Sequence, residues 1–339
     1  MPNTTTNWDL WNKRIDSFIE DEEGQRPEPV LQKLFNTDEK ADNIEYQEQG
    51  YSSFGPMVAV GESGDAEEDD PLQGYLSVYQ LEEYRKRTKF SSTLIETGRD
   101  TKVENLARDM PRLTQYSRDL YSMSMFRQAF DTTRTWGDGK PLVSTAHPRK
   151  DLAGTQRNTF LDGIQLPMSY EAVEALSTVQ DDIVSNSGNL MSVGLQGRNK
   201  ILLCGTKNKR KAFDIAGVQT SDERPDTADR ATNFFKRGDN YDVLVTKFIS
   251  WNAARQAGET TVAKTVSGNY FDDMWGIVDA DLAQRYNRFM EMSEYPKFDE
   301  EVNKNNQDLH KFAYDKYMYG NSGFFSVAMS KGDSTTYTG

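Results

Sequence analysis

The sequence predicts an α+β fold with more than one domain. Apolar residues recur at helical spacing over 101–130 and 169–184. Short apolar runs typical of buried strands occur at 201–203, 242–246 and 274–279. At 339 residues the chain is long for one compact domain and has room for two cores.

Composition narrows the class of protein. The net charge of −13 argues against a protein that wraps nucleic acid by neutralising phosphates, and it favours solubility before assembly. Cys204 is the single cysteine, which excludes an intrachain disulfide, and it lies in an apolar run typical of a buried strand. No apolar run approaches the roughly 20 residues that cross a bilayer, and the N-terminus lacks signal-peptide features.

Residues 1–56 are predicted to form an N-terminal arm. Its first part has apolar residues at helical spacing, which favours a short amphipathic helix: Trp8, Leu10, Trp11, Ile15, Phe18 and Ile19. Pro27 and Pro29 interrupt the rest, which is poor in apolar residues. Such a segment cannot bury enough apolar surface alone, so we expect it to lie on a neighbouring chain.

Residues 57–97 are predicted to form a long β-hairpin with an acidic tip and a basic returning limb. The tip carries Glu62, Asp65, Glu67, Glu68, Asp69 and Asp70. The limb carries Arg85, Lys86, Arg87 and Lys89. Opposite charges on copies of this hairpin would attract neighbouring subunits, so these ten residues are the candidate inter-subunit contacts. The alternative is a solvated charged loop.

Residues 101–130 are predicted to form one long helix. Its apolar face contains Val103, Leu106, Met110, Leu113 and Leu120. Pro111 interrupts the pattern, so either Asp109 caps a second helix or the helix kinks there.

A turn-rich segment follows, and after it a helix for which Ser169 is the predicted N-cap. The region from Tyr295 to Met329 is rich in aromatic residues, and 330–339 reads as a polar tail.

No complete catalytic or metal-binding motif is present. His147 and His310 are the two histidines, too few for a zinc site of the usual ligand spacing. Cys204 and His147 leave a nucleophilic dyad open, although His147 before Pro148 fits a structural turn better. The basic group of Lys207, Lys209, Arg210 and Lys211 lacks interleaved aromatic residues, which favours a solvated helix face over a nucleic-acid site.

One motif resembles a known family. The segment Asp138-Gly-Lys-Pro-Leu-Val-Ser-Thr-Ala-His147-Pro148 leads into Gly154-Thr-Gln-Arg-Asn158, as in the major capsid proteins of tailed bacteriophages. Ala313 to Gly323 is similar to the closing segment of that family, although Lys316 and Met318 depart from its commoner basic–aromatic pair.

The resemblance implies a Hong Kong 97-type capsid fold along nearly the whole chain. Its parts would be an N-terminal arm (1–56), an extended loop (57–97), a peripheral domain (98–168) containing a spine helix (101–130), an axial domain (169–285) and a return to the peripheral domain with the C-terminal tail (286–339).

The implied function is self-assembly, as hexamers and pentamers, into an icosahedral shell around phage double-stranded DNA. The protein would be located in the virion capsid after assembly in the host cytoplasm, without membrane, cofactor, metal or catalytic residues. Its partners would be its own copies, a separate scaffold, a portal and decoration proteins, and it would enclose DNA without reading its sequence. The alternatives are an encapsulin-type nanocompartment shell and a cytoplasmic hydrolase that uses Cys204.

Overall fold

The computed structural model describes residues 5–23, 30–51, 57, 59–60, 65, 68, 73–91, 93, 100–150, 154–185, 200–217, 241–259, 270–302 and 308–339. The helices in these segments are α1 (Thr5–Glu23), α2 (Leu31–Leu34), α3 (Asp100–Ser122), α4 (Ser124–Arg127), α5 (Tyr170–Asp181), α6 (Lys209–Ile215), α7 (Trp251–Gln256), α8 (Tyr270–Asp273) and α9 (Ala280–Tyr286). The strands are β1 (Lys40–Ala41), β2 (Glu45–Tyr51), β3 (Gln73–Gln80), β4 (Glu82–Phe90), β5 (His147–Pro148), β6 (Thr155–Gln156), β7 (Lys200–Cys204), β8 (Tyr241–Val245), β9 (Trp275–Asp279), β10 (Asn287–Met292), β11 (Lys297–Val302), β12 (Leu309–Asn321) and β13 (Val327–Ser330). The predicted α+β class is confirmed.

The larger sheet is built around β12. This strand pairs antiparallel with β4 along one edge, and with β11 and then β10 along the other, while β1 joins β10 in parallel. Helices α1 and α3 pack on one face of this sheet, because a single apolar cluster joins all three. The cluster contains Ile15, Ile19, Phe90, Val103, Ala107, Met110, Leu309 and Ala313.

The long predicted helix is present as α3, with the four-residue α4 directly after it. Pro111 lies inside α3, and Thr114 donates its hydroxyl to the Pro111 carbonyl at 2.7 Å. The helix is continuous, so the alternative in which Asp109 caps a second helix is wrong. Leu106 was predicted on the buried face but is 37% exposed, and Ala107 is buried there instead.

The second sheet has the strand order β13-β9-β7-β8. Its central strand β7 is buried along its whole length, as the apolar run around Cys204 predicted. Ser169 caps α5 as predicted, since its hydroxyl accepts a hydrogen bond from the Ala172 amide at 3.2 Å. Helices α5 and α6 share an apolar cluster with β7 and β9, which makes this sheet a second core.

The prediction of an extended N-terminal arm is wrong for residues 31–41. Leu34 and Phe35 are fully buried in the subunit's own core, where the Phe35 ring packs edge-on against Phe126 at 5.8 Å. The predicted amphipathic helix is present as α1, and Ile15 and Ile19 bury it against α3. Few apolar residues suffice here because each enters an existing core.

The predicted polar tail is also wrong. Tyr337 is 7% exposed and donates its hydroxyl to the Val143 carbonyl at 3.0 Å. The Gly339 carbonyl accepts hydrogen bonds from the Thr145 amide at 3.0 Å and the Ser144 hydroxyl at 2.8 Å. These hydrogen bonds anchor the segment although most of its residues are polar.

The prediction that the two limbs within residues 57–97 pair with each other is wrong. The two-stranded sheet consists of β2 and β3, over residues 45–80, and not of two limbs within 57–97. The basic limb forms β4, which pairs with β12 from Glu82 to Phe90. Because β12 lies more than two hundred residues later in the sequence, local patterns could not identify this pairing.

Asp119 in α3 links the helix to the N-terminal segment and predicts a pH dependence of stability. It accepts a hydrogen bond from the Leu31 amide at 3.3 Å, and burial raises its pKa to about 6. The folded chain then binds this proton more tightly than the unfolded chain, so this carboxyl makes stability fall as pH rises from about 4 to about 6.

We therefore expect Asp119→Asn to raise the free energy of unfolding at pH 7 by up to about 3 kcal/mol and to have little effect at pH 4. Urea unfolding at the two pH values measures this. Asp109→Asn, at an exposed position of the same helix, is the control. An equal effect of Asp119→Asn at both pH values would contradict a raised pKa for Asp119 in the folded chain.

Candidate assembly surfaces

The β2–β3 hairpin presents two different faces. Leu76 and Val78 are each 46% exposed on its outer face, opposite Gln49 and Gln47 of β2. Residues on the other face alternate with them and are turned toward the body, as Tyr79, 2% exposed, illustrates. The outer face therefore carries two exposed apolar side chains among polar ones, and no described residue of the subunit covers them.

The sequence motif of 136–150 braces this hairpin. A Cβ atom at Gly137 would lie 2.7 Å from the Ser77 hydroxyl, so only glycine permits this approach to β3. Lys150 donates its ammonium group to the Gly74 carbonyl at 2.7 Å, and the Tyr75 hydroxyl donates to the Pro148 carbonyl at 3.3 Å. The motif thus holds the hairpin against the body.

His147 is the centre of this brace. Its Nδ1 lies 2.6 Å from Asp138 Oδ2, its Nε2 lies 3.1 Å from Asn158 Oδ1, and its ring stacks on Phe324 at 3.7 Å. Asn158 in turn donates to the Leu142 and Val327 carbonyls. The residues that gave the motif its family resemblance therefore form one buried hydrogen-bond network.

This geometry disfavours the Cys204–His147 dyad. Both ring nitrogens of His147 already have partners, and Cys204 is fully buried in β7, where burial raises the pKa of its thiol to about 12. Such a thiol carries almost no thiolate at neutral pH and is a poor nucleophile.

The described residues offer neither a metal-binding cluster nor a membrane-spanning helix. No group of three or more His, Cys, Asp or Glu side chains there is arranged to hold a metal ion. No helix in the same part of the chain is both long and apolar enough to cross a membrane.

A striped face lies on the larger sheet, on the side away from α1 and α3. We define it by a basic row on β4 (Arg85, Arg87, Lys89), an aromatic row on β12 (Phe312, Tyr314) and an acidic row on β11 (Asp299, Glu301). Directly paired residues point to the same side of a sheet, and the register places Arg87, Phe312 and Asp299 side by side.

The four basic residues predicted as inter-subunit contacts do not all lie on the same face of the larger sheet. Arg85, Arg87 and Lys89 share the striped face, whereas Lys86 pairs with Ala313 and lies on the opposite side. Arg85 pairs with Glu83 at 2.6 Å and Lys89 with Asp308 at 2.5 Å.

Two of the six acidic residues of the predicted tip lie among the described residues. Asp65 and Glu68 are exposed. Glu62, Glu67, Asp69 and Asp70 lie outside the described residues.

Two of the four basic side chains at 207–211 lie near carboxylates of their own subunit. Lys207 forms an ion pair with Asp273, and Arg210 lies 3.8 Å from Asp214. These contacts favour a solvated surface over a nucleic-acid site.

Sequence reasoning missed the aromatic and acidic rows of the striped face. Alternation along 309–321 is a visible signal that Phe312 and Tyr314 share a side. Which strands flank them depends on long-range pairing, and no local pattern reports it.

Neither a protein-family model nor a curated protein matches this chain. Solved capsid structures do match its fold. The capsid of an empty GTA particle is 13% identical, with a TM-score of 0.50 over 90% of this chain and 89% of that one.

Two phage capsids match equally well. That of cyanophage P-SCSP1u is 11% identical, with a TM-score of 0.51 over 90% and 88% of the two chains. The structure from Mycobacterium phage Patience is 11% identical, with a TM-score of 0.50 over 97% and 88%. The predicted Hong Kong 97-type fold is thereby confirmed.

Proposed function

We propose that this chain is a major capsid protein that assembles with its own copies into an icosahedral shell around phage DNA. The observation that carries the proposal is a capsid fold that extends over about 90% of the chain. The proposed role is structural, in the virion capsid.

We propose a domain assignment that is based on the two sheets. We assign the hairpin of residues 45–80 as the extended loop and α3 as the spine helix. The sheet around β12 with α1 and α3 would be the peripheral domain, and the sheet around β7 would be the axial domain. In this proposal further partners are a separate scaffold, a portal and decoration proteins.

We place the inter-subunit contact between the acidic residues 62–70 of one copy and the basic row on β4 of its neighbour. Two features support this placement. The basic row is exposed beside Phe312 and Tyr314, which offer partly exposed rings next to the charges. The acidic row on the far side would repel an acidic segment, and this repulsion fixes its position.

The free energy of one such contact is small. An exposed ion pair contributes about 0–1 kcal/mol, so two or three pairs give about 1–2 kcal/mol for each subunit. A change of 1.4 kcal/mol alters an association constant tenfold, and in a shell the same contact recurs in every subunit. Assembly should therefore respond strongly to charge reversal.

We expect Arg87→Glu combined with Lys89→Glu to raise the concentration needed for assembly by about tenfold or more, because it replaces attraction by repulsion. Light scattering against protein concentration measures the threshold, and electron microscopy shows whether closed particles form. A second change, Asp65→Lys with Glu68→Lys, should restore assembly in the same chain.

Arg210→Glu is the matched control, because the Arg210 side chain is 94% exposed and lies outside the striped face. It should assemble like the unchanged protein. Normal assembly of the double Arg87, Lys89 variant would exclude this contact while leaving the capsid function intact. A chain that never assembles, even with scaffold, would count against the function itself.

A further inference from the structure

The edge of β4 that faces away from β12 has no partner strand among the described residues. The other edge of β4 is paired with β12 along its whole length. Most side chains of β4 are exposed, including Lys86 on one face and Arg87 on the other, so the described part of the subunit leaves both faces open there. The backbone N–H and C=O groups along such an edge are a template for a further strand.

The cations of β4 select which strand can be added. Arg85, Arg87 and Lys89 stand at every second residue and share the striped face, while Lys86 lies on the opposite face. Arg85 and Lys89 each have a carboxylate partner, but Arg87 has none in the part of the chain that the structure describes. A second copy of β4 would be repelled by these charges, whereas an acidic strand would be attracted.

The acidic segment of residues 62–70 has the same spacing of charge. Alternate residues of an extended chain point to opposite sides, so one side would carry Asp65, Glu67 and Asp69 and the other Glu62, Glu68 and Asp70. Carboxylates at every second residue thus match the cations at every second residue of β4. A loop that only touches the basic row needs no such period, whereas paired strands place charges of this spacing directly opposite one another.

The larger sheet has a second open edge, at β11. This strand is paired with β12 on one side and with no described strand on the other. It carries Asp299, Glu300 and Glu301, which would repel an acidic segment. Charge therefore favours the edge of β4 over the edge of β11.

We propose that residues 62–70 of a neighbouring copy add to the open edge of β4 as a strand. This inference rests on the proposed capsid function and specifies how the acidic segment meets the basic row. In strand addition, backbone hydrogen bonds supply the affinity and side chains at alternate positions supply the specificity. The added strand also brings carboxylates to the face of Lys86, which a contact confined to the striped face does not reach.

The test is the binding of a dye-labelled synthetic peptide of residues 62–70 to the unassembled full chain, measured by fluorescence anisotropy at low salt. We expect saturable binding with a dissociation constant of about 1 mM or below. Two further peptides carry N-methyl groups on alternate amides, one at the even-numbered residues 64–68 and the other at the odd-numbered residues 65–69. Only alternate amides of an added strand face the edge, so one of these two peptides should bind about tenfold more weakly than the other.

Substitutions in the chain give an independent test. Arg87→Glu should weaken binding of the unmodified peptide about tenfold, and Lys86→Glu about threefold, because the added strand carries carboxylates on both faces. Arg210→Glu makes the same change of charge at a side chain that is 94% exposed and lies outside the larger sheet, and it should leave binding unchanged. The unfolding midpoint of each variant checks that it folds.

Three results would each overturn strand addition: equal affinity of the two N-methylated peptides, no saturation by the unmodified peptide, or no effect of Lys86→Glu. The peptide titration needs no shell. Electron microscopy of the assembled chain tests the capsid function separately, so closed particles together with a failed titration would reject strand addition alone.

Discussion

Replacing Arg127 by leucine is expected to lower the free energy of unfolding by about 3–5 kcal/mol. Arg127 is fully buried at the end of α4. Its guanidinium donates to both carboxylate oxygens of Glu259 at 2.7 and 2.8 Å, to the Phe248 carbonyl at 2.7 Å and to the Leu120 carbonyl at 2.8 Å. Leucine would leave a buried carboxylate and two carbonyls without donors.

Three variants isolate this effect in urea unfolding followed by circular dichroism. Arg127→Lys should recover only part of the loss, because an ammonium group cannot reproduce the planar fork. The double variant Arg127→Leu, Glu259→Leu should be more stable than Arg127→Leu alone, because it removes the unpaired charge. Arg210→Leu, at an exposed position, should change stability by less than about 0.5 kcal/mol. A loss below about 1 kcal/mol for Arg127→Leu would show that the site relaxes or hydrates.

The second large effect is expected for the ion pair between α3 and the larger sheet. Arg118 in α3 donates to both oxygens of Asp315 in β12, at 2.7 and 2.9 Å, and lies 2.7 Å from Glu291 in β10. Arg118 and Asp315 are 7% and 3% exposed. This pair ties α3 to two strands of the larger sheet.

Substitutions of Arg118 and of Asp315 should lower the free energy of unfolding by different amounts. Arg118→Met leaves Asp315 as an unpaired buried charge and should cost about 3–5 kcal/mol. Asp315→Asn leaves Arg118 paired with Glu291 and should cost about 1–3 kcal/mol. Urea unfolding of both variants at pH 7 tests this order, with Asp109→Asn as an exposed control. The reverse order would mean that Glu291 contributes little.

Local sequence patterns predicted the helices and strands that depend only on residues close to one another in the sequence. The apolar spacing of 101–130 predicted α3, and the side chain of Ser169 predicted the start of α5. Likewise, the apolar run at 200–204 predicted a buried strand. Each depends on residues within a few positions of one another, where helical or strand periodicity can be read directly.

Predictions that depend on distant partners were wrong. Strand 82–90 has a pattern that suits several partners, and its pairing with β12 is set by packing across the whole of the larger sheet. The C-terminal segment is held by the Tyr337 hydroxyl, which donates to the Val143 carbonyl, and no local pattern indicates a contact between residues so far apart in the sequence. The motif at 136–150 is visible in the sequence, but its role in holding the hairpin depends on contacts with β3, which lies far from it in the sequence.

The most direct test of the capsid function is electron cryomicroscopy of particles formed by the purified chain, with scaffold if it is required. We predict closed icosahedral shells in which residues 62–70 of one subunit lie on the basic row of β4 of its neighbour. A chain that remains monomeric at every concentration and with every scaffold tested would contradict the proposed function.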